Sequence, residues 1–169
     1  LPELRISSDW GIEIGILSEM QRNFSPQNIC QVDLADTYDH KHQDLSTDDE
    51  NKGLSRMSID IIKTFIKKLA TQGHSFSREQ LRSLKATYYR SALDLIDAYR
   101  GDAEMNGLKF DSHSEEKAVE LFSKNIIKAG EDFYLNPMDA PFIPTWSRVK
   151  SAIPDLSLIH ISEPTRRLV

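Results

Sequence analysis

The sequence predicts an α/β fold in which helices make up most of the chain. Apolar residues recur at helical spacing in three long segments, residues 28–35 alternate like a strand, and an aperiodic polar segment follows that strand. The 169 residues fit one domain or part of one. A composition of 39% hydrophobic and 28% charged residues is ordinary for a globular protein.

The first predicted element is a helix that runs to about residue 23, and either Ser8 or Asp9 can cap its start. Its apolar face is predicted from four residues at helical spacing, which are Ile12, Ile16, Leu17 and Met20. Residues 28–35 form the predicted strand, with Cys30, Val32 and Leu34 on one face. Residues 36–52 are polar and aperiodic, so we expect a loop. A single strand needs a partner, and we therefore expect the rest of the sheet to lie before residue 1.

Three long helices are predicted next, over residues 54–72, from Ser77 onward and from Ser112 onward. Gln80 and Glu115 follow the two serines at the spacing of a capping box. The predicted apolar faces are Leu54, Met57, Ile61, Phe65 and Leu69 in the first helix, Leu81, Leu84, Tyr88, Leu95 and Tyr99 in the second, and Val119, Phe122, Ile126 and Phe133 in the third. A short last helix is predicted over residues 145–152.

Charge and composition exclude several classes of function. The formal net charge is −5 and no basic stripe is present, which argues against a nucleic-acid surface. No apolar run reaches the roughly 18 residues of a membrane-spanning helix, so no membrane partner is expected. Cys30 is the only cysteine, which excludes an internal disulfide and fits a cytoplasmic location.

Asp9 and Glu13 are the first candidate site residues. They stand four apart at the start of the predicted helix, so both carboxylates would lie on one face. The alternative is purely structural, because the helix dipole favours acidic residues at a helix start.

A second candidate cluster lies in the predicted loop, where residues 38–43 read YDHKHQ. His40 and His42 would point the same way in an extended chain, so both could reach one cation or one phosphate. Lys41 adds a positive charge on the other side. The alternative is a solvated polar loop without a ligand.

The order of these segments resembles a known family. Residues 8–15 (SDWGIEIG), 31–34 (QVDL) and 39–43 (DHKHQ) resemble the glucosyl-3-phosphoglycerate synthases, retaining glycosyltransferases with a GT-A nucleotide-sugar-binding fold. The resemblance spans residues 5–155 and is strongest in this unit and in residues 53–62. It implies that residues 1–52 end a GT-A catalytic domain, that residues 53–155 form a helical C-terminal region, and that the chain is the C-terminal portion of the fold.

The resemblance also implies roles for the candidate residues. Glu13, with Asp9 beside it, would face the donor sugar, and His40 would bind a divalent metal, Mg²⁺ or Mn²⁺. The residues implied in substrate binding are His42, Lys41 and Tyr38. Tyr38 stands where the family has a basic residue, which leaves the acceptor open. The other metal ligands would come from an Asp-x-Asp motif upstream.

The implied reaction moves glucose from a nucleotide-diphosphate glucose to 3-phosphoglycerate, giving a precursor of a compatible solute. Two alternatives stay open: a related mannosyl or other sugar transferase, and a non-catalytic helical interaction module. The three long helices would suit packing or homodimer formation. Because the donor site and most metal ligands would be missing, this chain alone is predicted to be inactive.

Residues 156–166 (LSLIHISEPTR) resemble the translation of a sequencing adapter. We therefore expect residues 156–169 to be a non-native tail that contributes nothing to the fold.

Overall fold

The computed structural model describes residues 6–32, 43–138 and 143–153, and within these ranges the chain is mostly helical. Its α-helices are α1 (Ile12–Asn23), α2 (Gly53–Thr71), α3 (Arg78–Met105), α4 (Ser112–Leu135) and α5 (Trp146–Ala152). Two short 3-10 helices, Asp9–Gly11 and Pro26–Asn28, precede and follow α1. None of the helices in the described part of the chain is both long and apolar enough to span a membrane.

The predicted strand over residues 28–35 is not formed in the part that the structure describes. Ser25 caps the second 3-10 helix by accepting a hydrogen bond from the Gln27 backbone, so the chain is still turning at Asn28. Residues 29–32 are then exposed coil without a paired strand, and the rest of the predicted strand lies outside the described residues. Extended backbone at Ile29, with φ −112° and ψ 127°, lacks the partner that would make it a strand.

Helix α2 is the centre of the packing among the described elements. It contacts α4 on one side and the segment from Asp9 to Asn23 on another, while α3 packs on α4. A buried polar link joins α2 to α4, because the Asn125 side-chain amide donates to the Ser58 hydroxyl at 2.7 Å and to the Ser55 carbonyl at 3.3 Å. The buried apolar residues of this assembly are Ile59, Ile66, Leu81, Ile96, Ala103, Val119, Leu121, Ile126 and Ala129.

Gly53 explains how the polar loop meets α2. Its φ of 52° lies in the left-handed region, and a Cβ at this position would overlap the Asp44 carbonyl oxygen. The same carbonyl accepts a hydrogen bond from Leu54 N at 2.9 Å. The end of the loop is therefore fixed to the start of α2 by a contact that requires glycine.

The predicted helix caps are confirmed in part. Neither Ser8 nor Asp9 caps α1, whose N-cap is Gly11. Ser77 and Gln80 form the reciprocal capping box at the start of α3, with hydrogen bonds of 3.2 and 2.7 Å. The cap predicted for the following helix is one residue off, because Asp111 caps α4 by accepting from the backbones of His113 and Ser114. The short helix α5 also forms where it was predicted, after Thr145.

The apolar face predicted for α1 is confirmed only in part, since Ile16 and Met20 are half-buried. The buried positions of this helix are Gly15 and Glu19, whereas Leu17 is 66% exposed and Ile12 is 37% exposed. Apolar periodicity identified the helix but not its most buried side, because Gly15 packs against Ser7 and Glu19 pairs with Lys68 of α2.

The faces predicted for the other helices are confirmed in part. Leu81, Val119 and Ile126 are buried as expected. In α3, burial follows Ile96 and Ala103, seven residues apart on one side, so Leu95 and Tyr99 remain about half exposed. In α2, the predicted residues are partly exposed, because this helix is packed on opposite sides and buries Ser55, Ile59, Thr64 and Ile66 instead.

Candidate functional site

Asp9 lies in the 3-10 helix Asp9–Gly11, which we call the Asp9 turn, and not in the α-helix predicted for it. Its φ is 57°, so it cannot continue an α-helix, and α1 begins three residues later at Ile12. Glu13 lies in the first turn of α1 and is exposed. The argument that both carboxylates share one α-helical face is therefore wrong, although both residues remain at the entrance to α1.

Glycines bring the Asp9 turn and α1 close to their neighbours. A Cβ on Gly11 would overlap the side chain of Thr64 in α2, and a Cβ on Gly15 would lie 2.5 Å from the Ser7 hydroxyl oxygen. A larger residue at position 11 or 15 would therefore require Thr64 or Ser7 to shift. The position of the Asp9 turn is therefore set by direct contact with α2.

An arginine of α2 connects the Asp9 turn to a second carboxylate. Arg56 Nη2 donates a hydrogen bond to Asp9 Oδ1 at 3.4 Å, and Arg56 Nε lies 3.5 Å from Asp60 Oδ2. Burial and the negative charge of Asp9 raise the pKa of Asp60, and the Arg56 charge opposes this only in part. Two carboxylates and one guanidinium therefore lie together beside the Asp9 turn.

A buried ion pair attaches the other end of α1 to α2. Lys68 Nζ lies 2.6 Å from Glu19 Oε1, and both side chains are less than 10% exposed. Arg22 Nη2 contacts the second carboxylate oxygen at 2.7 Å. Burial alone would raise the pKa of Glu19, but the hydrogen bonds from Lys68 and Arg22 outweigh it and lower that pKa.

The contacts of α2 with the Asp9 turn and α1 follow a four-residue spacing that the sequence analysis missed. Arg56 and Lys68 meet Asp9 and Glu19, and Asp60 and Thr64 stand between them on the same side of α2. The sequence does contain a signal for these contacts, because every fourth residue along this side of α2 is polar. The prediction for α2 considered only its apolar residues. We call these four residues of α2, Arg56, Asp60, Thr64 and Lys68, the polar stripe.

An open cavity of about 360 Å³ lies between α1 and α2 beside the Glu19–Lys68 pair. Phe65 and Leu69 form its apolar wall, and Arg22 and Lys68 form part of its polar wall. Neither Asp9 nor Glu13, the two predicted site residues that the structure describes, lines this cavity.

The remaining predicted site residues, Tyr38, His40, Lys41 and His42, lie outside the described residues. Their proximity to Asp9 and Glu13 therefore stays a prediction from the sequence. Within the described ranges, no group of three or more His, Cys, Asp or Glu side chains is arranged to hold a metal ion. The metal role of His40 is likewise a prediction.

Comparison with known proteins finds relatives among synthases that are named for a glucosylated phosphoglycerate. The chain is 40% identical over 154 residues to the glucosyl-3-phosphoglycerate synthase of Persephonella marina. It is 41% identical over 154 residues to the glucosyl-3-phosphoglycerate synthase of Methanococcoides burtonii. The resemblance to this family inferred from the sequence motifs is thereby confirmed.

The alignments cover 91% and 90% of this chain but only 38% and 37% of the two relatives. The chain therefore spans less than two fifths of the length of the curated relatives that it matches. No family model matches the chain, and no solved structure does.

Proposed function

We propose that the protein containing this chain is a glucosyl-3-phosphoglycerate synthase with a GT-A fold. It transfers glucose from a nucleotide-diphosphate glucose to 3-phosphoglycerate. The bond from the anomeric carbon to the diphosphate breaks. The acceptor hydroxyl oxygen bonds to that carbon on the face that the diphosphate leaves, and the hydroxyl loses its proton. The observation that carries the proposal is 40–41% identity over about 90% of this chain to two synthases of that name.

Glu13 is proposed to act at the donor sugar, with Asp9 supporting it. Positive charge develops at the anomeric carbon as the glycosidic bond breaks, and a nearby carboxylate stabilises that charge. The exposed position of Glu13 in the first turn of α1 supports this role, because a helix holds a side chain more rigidly than a loop does.

His40 is proposed to bind a divalent cation, Mg²⁺ or Mn²⁺, together with carboxylates from the rest of the protein. A neutral imidazole nitrogen is a suitable donor for such an ion beside carboxylate oxygens. When bound, the cation neutralises the diphosphate leaving group. His42, Lys41 and Tyr38 are proposed to contact the acceptor, whose phosphate and carboxylate require cationic or hydrogen-bonding partners.

A homodimer formed through the helical region is a further part of the proposal. Leu95 and Tyr99 on α3 are 48% and 56% exposed, which supports an interface on this helix. The same exposure would also suit a helical interaction module without catalysis, so activity decides between these two functions.

The test is a transfer assay with the full-length protein and a panel of nucleotide sugars and phosphorylated acceptors. We expect glucose donors and 3-phosphoglycerate to give the highest kcat/KM, and NMR of the product to show retained anomeric configuration. Preference for a mannose donor would identify the related mannosyl transferase instead. Absence of transfer with every donor and metal would leave the helical interaction module.

A further inference from the structure

The backbone of Asp9 is held in a conformation that most residues avoid. Its φ of 57° is in the left-handed region, which Asp tolerates better than most residues but which still costs free energy. Such a conformation persists only where the surrounding structure enforces it, and it is most common at functional sites.

Two contacts from the polar stripe of α2 hold the Asp9 turn. Thr64 lies directly against Gly11 at the end of the turn. Arg56 binds the Asp9 carboxylate at the beginning of the turn, across 47 residues of sequence, while its Nε lies near Asp60. Asp60 lies one helical turn beyond Arg56, so two carboxylates adjoin the same guanidinium.

The Arg56–Asp9 pair is too exposed to contribute much to folding stability, which favours a positioning role for Arg56. The Arg56 and Asp9 side chains are 50% and 43% exposed. Ion pairs this exposed add little to folding stability, because water screens the charges and the long side chain loses conformational freedom. Loss of Arg56 should therefore leave the protein folded and change chiefly the geometry of the turn.

We propose that Arg56 is a positioning residue for the sugar transfer, acting through Asp9 to fix the turn that leads into Glu13. The Asp60 carboxylate lies beside the Arg56 Nε and adds a second negative charge next to the guanidinium. The inference rests on the proposed function of the site and assigns Arg56 no direct contact with either substrate.

The kinetic test uses the full-length enzyme with Arg56→Ala, Arg56→Lys and the matched control Arg90→Ala. Arg90 forms an exposed ion pair with Asp94 within α3, so its removal costs a similar interaction far from the Asp9 turn in sequence. We expect Arg56→Ala to lower kcat by roughly tenfold to a hundredfold, since small displacements of a reacting group have effects of this size. Both KM values and Tm should stay close to those of the wild type.

The conservative variant Arg56→Lys adds a second measurement, recovery of kcat, which would not change if Arg56 had only a structural role. Lysine keeps the charge but cannot bridge two carboxylates with a planar fork, so Arg56→Lys should recover part of the lost kcat. Arg90→Ala should match the wild type in every parameter. A wild-type kcat in Arg56→Ala would overturn the proposal. It would also be overturned if Arg56→Ala and Arg90→Ala lost kcat and Tm to the same extent.

A spectroscopic test of the full-length protein does not depend on activity. Trp10 is the residue after Asp9 and is 38% exposed, so its indole N–H resonance reports on the turn. Arg56→Ala should shift that resonance, assigned with Trp10→Phe, and Arg90→Ala should leave it in place. An unchanged resonance in Arg56→Ala overturns the positioning role. If the resonance shifts but the wild-type full-length protein transfers no sugar, the proposed function is rejected. The conclusion that Arg56 positions the turn then still stands.

Discussion

Asp60 shows how burial and charge compete at a single residue. Its pKa is raised by burial and by the charge of Asp9, and the Arg56 charge compensates only in part. Folding thus favours the protonated carboxyl. The stabilising contribution of this group is complete below its unfolded pKa and is lost as the pH rises through the higher folded pKa.

We predict that Asp60→Asn makes the folded chain slightly more stable at neutral pH, because the amide removes a carboxylate that is unfavourable there. Urea unfolding between pH 4 and pH 7 measures this, and the gain should shrink as the pH falls. An Asp60→Asn variant that is clearly less stable at pH 7 would mean that the ion pair with Arg56 outweighs the cost of burial.

His40 and His42 allow a paired test of the proposed metal and acceptor roles in the full-length enzyme. His40→Ala should weaken the metal dependence and lower turnover by about 10²-fold, the scale at which loss of one electrostatic stabiliser acts. His42→Ala should instead raise the KM for the acceptor. Metal titration at saturating donor distinguishes them, and unchanged kinetics in both variants would mean that the loop is only a solvated surface.

At the scale of elements, the sequence predicted where the helices lie better than which sides they bury. The capping box of Ser77 and Gln80 is a local signal and is confirmed by the structure. The buried side of α1 depends on a helix more than 40 residues later in the chain, so the apolar residues of α1 could not reveal it. The polar stripe of α2 was visible only as a spacing, and its meaning required the positions of Gly11 and Glu19.

The site was predicted in part for the same reason. Asp9 and Glu13 could be selected from residue type and order, but the left-handed turn at Asp9 has no signature in this sequence. Arg56 was missed, because an exposed arginine on a helix gives no indication that it reaches a carboxylate 47 residues earlier.

The Glu19–Lys68 pair is predicted to be the main polar attachment of α1 to α2. Glu19→Gln removes a buried negative charge 2.6 Å from Lys68 Nζ, and we expect a loss of about 3 kcal/mol, the lower end for a broken buried pair. Urea unfolding at pH 7 measures the loss. The double variant Glu19→Leu/Lys68→Met should recover most of it, because apolar side chains of similar size avoid the desolvation cost.

The pH dependence of this pair has the opposite sign to that of Asp60. The pKa of Glu19 is lowered below its usual 4.5, so its contribution is present above that value and is lost as the pH falls through the folded pKa. The difference between wild type and Glu19→Gln should therefore disappear in acid. A difference that is constant from pH 7 to pH 3 would show that packing, and not charge, attaches α1 to α2.

At the scale of the whole molecule, the chain spans less than two fifths of the length of its relatives. Its described residues contain no metal-binding group of three ligands. A site without its full set of surrounding groups is not preorganised for catalysis. We predict that the purified 169-residue chain transfers no glucose to 3-phosphoglycerate under conditions in which the full-length protein does. Measurable transfer by this chain would place a complete site within it.

The close contact between Gly11 and Thr64 has a genetic consequence. Alanine at position 11 would overlap the Thr64 hydroxyl, and its new Cβ would still lie 2.6 Å from Thr64 Cβ. Trimming position 64 to alanine would keep that second overlap, and only glycine there would remove it. The two positions should therefore behave as a suppressor pair: in a selection for activity that starts from Gly11→Ala, revertants should return to glycine at position 11 or acquire glycine at position 64.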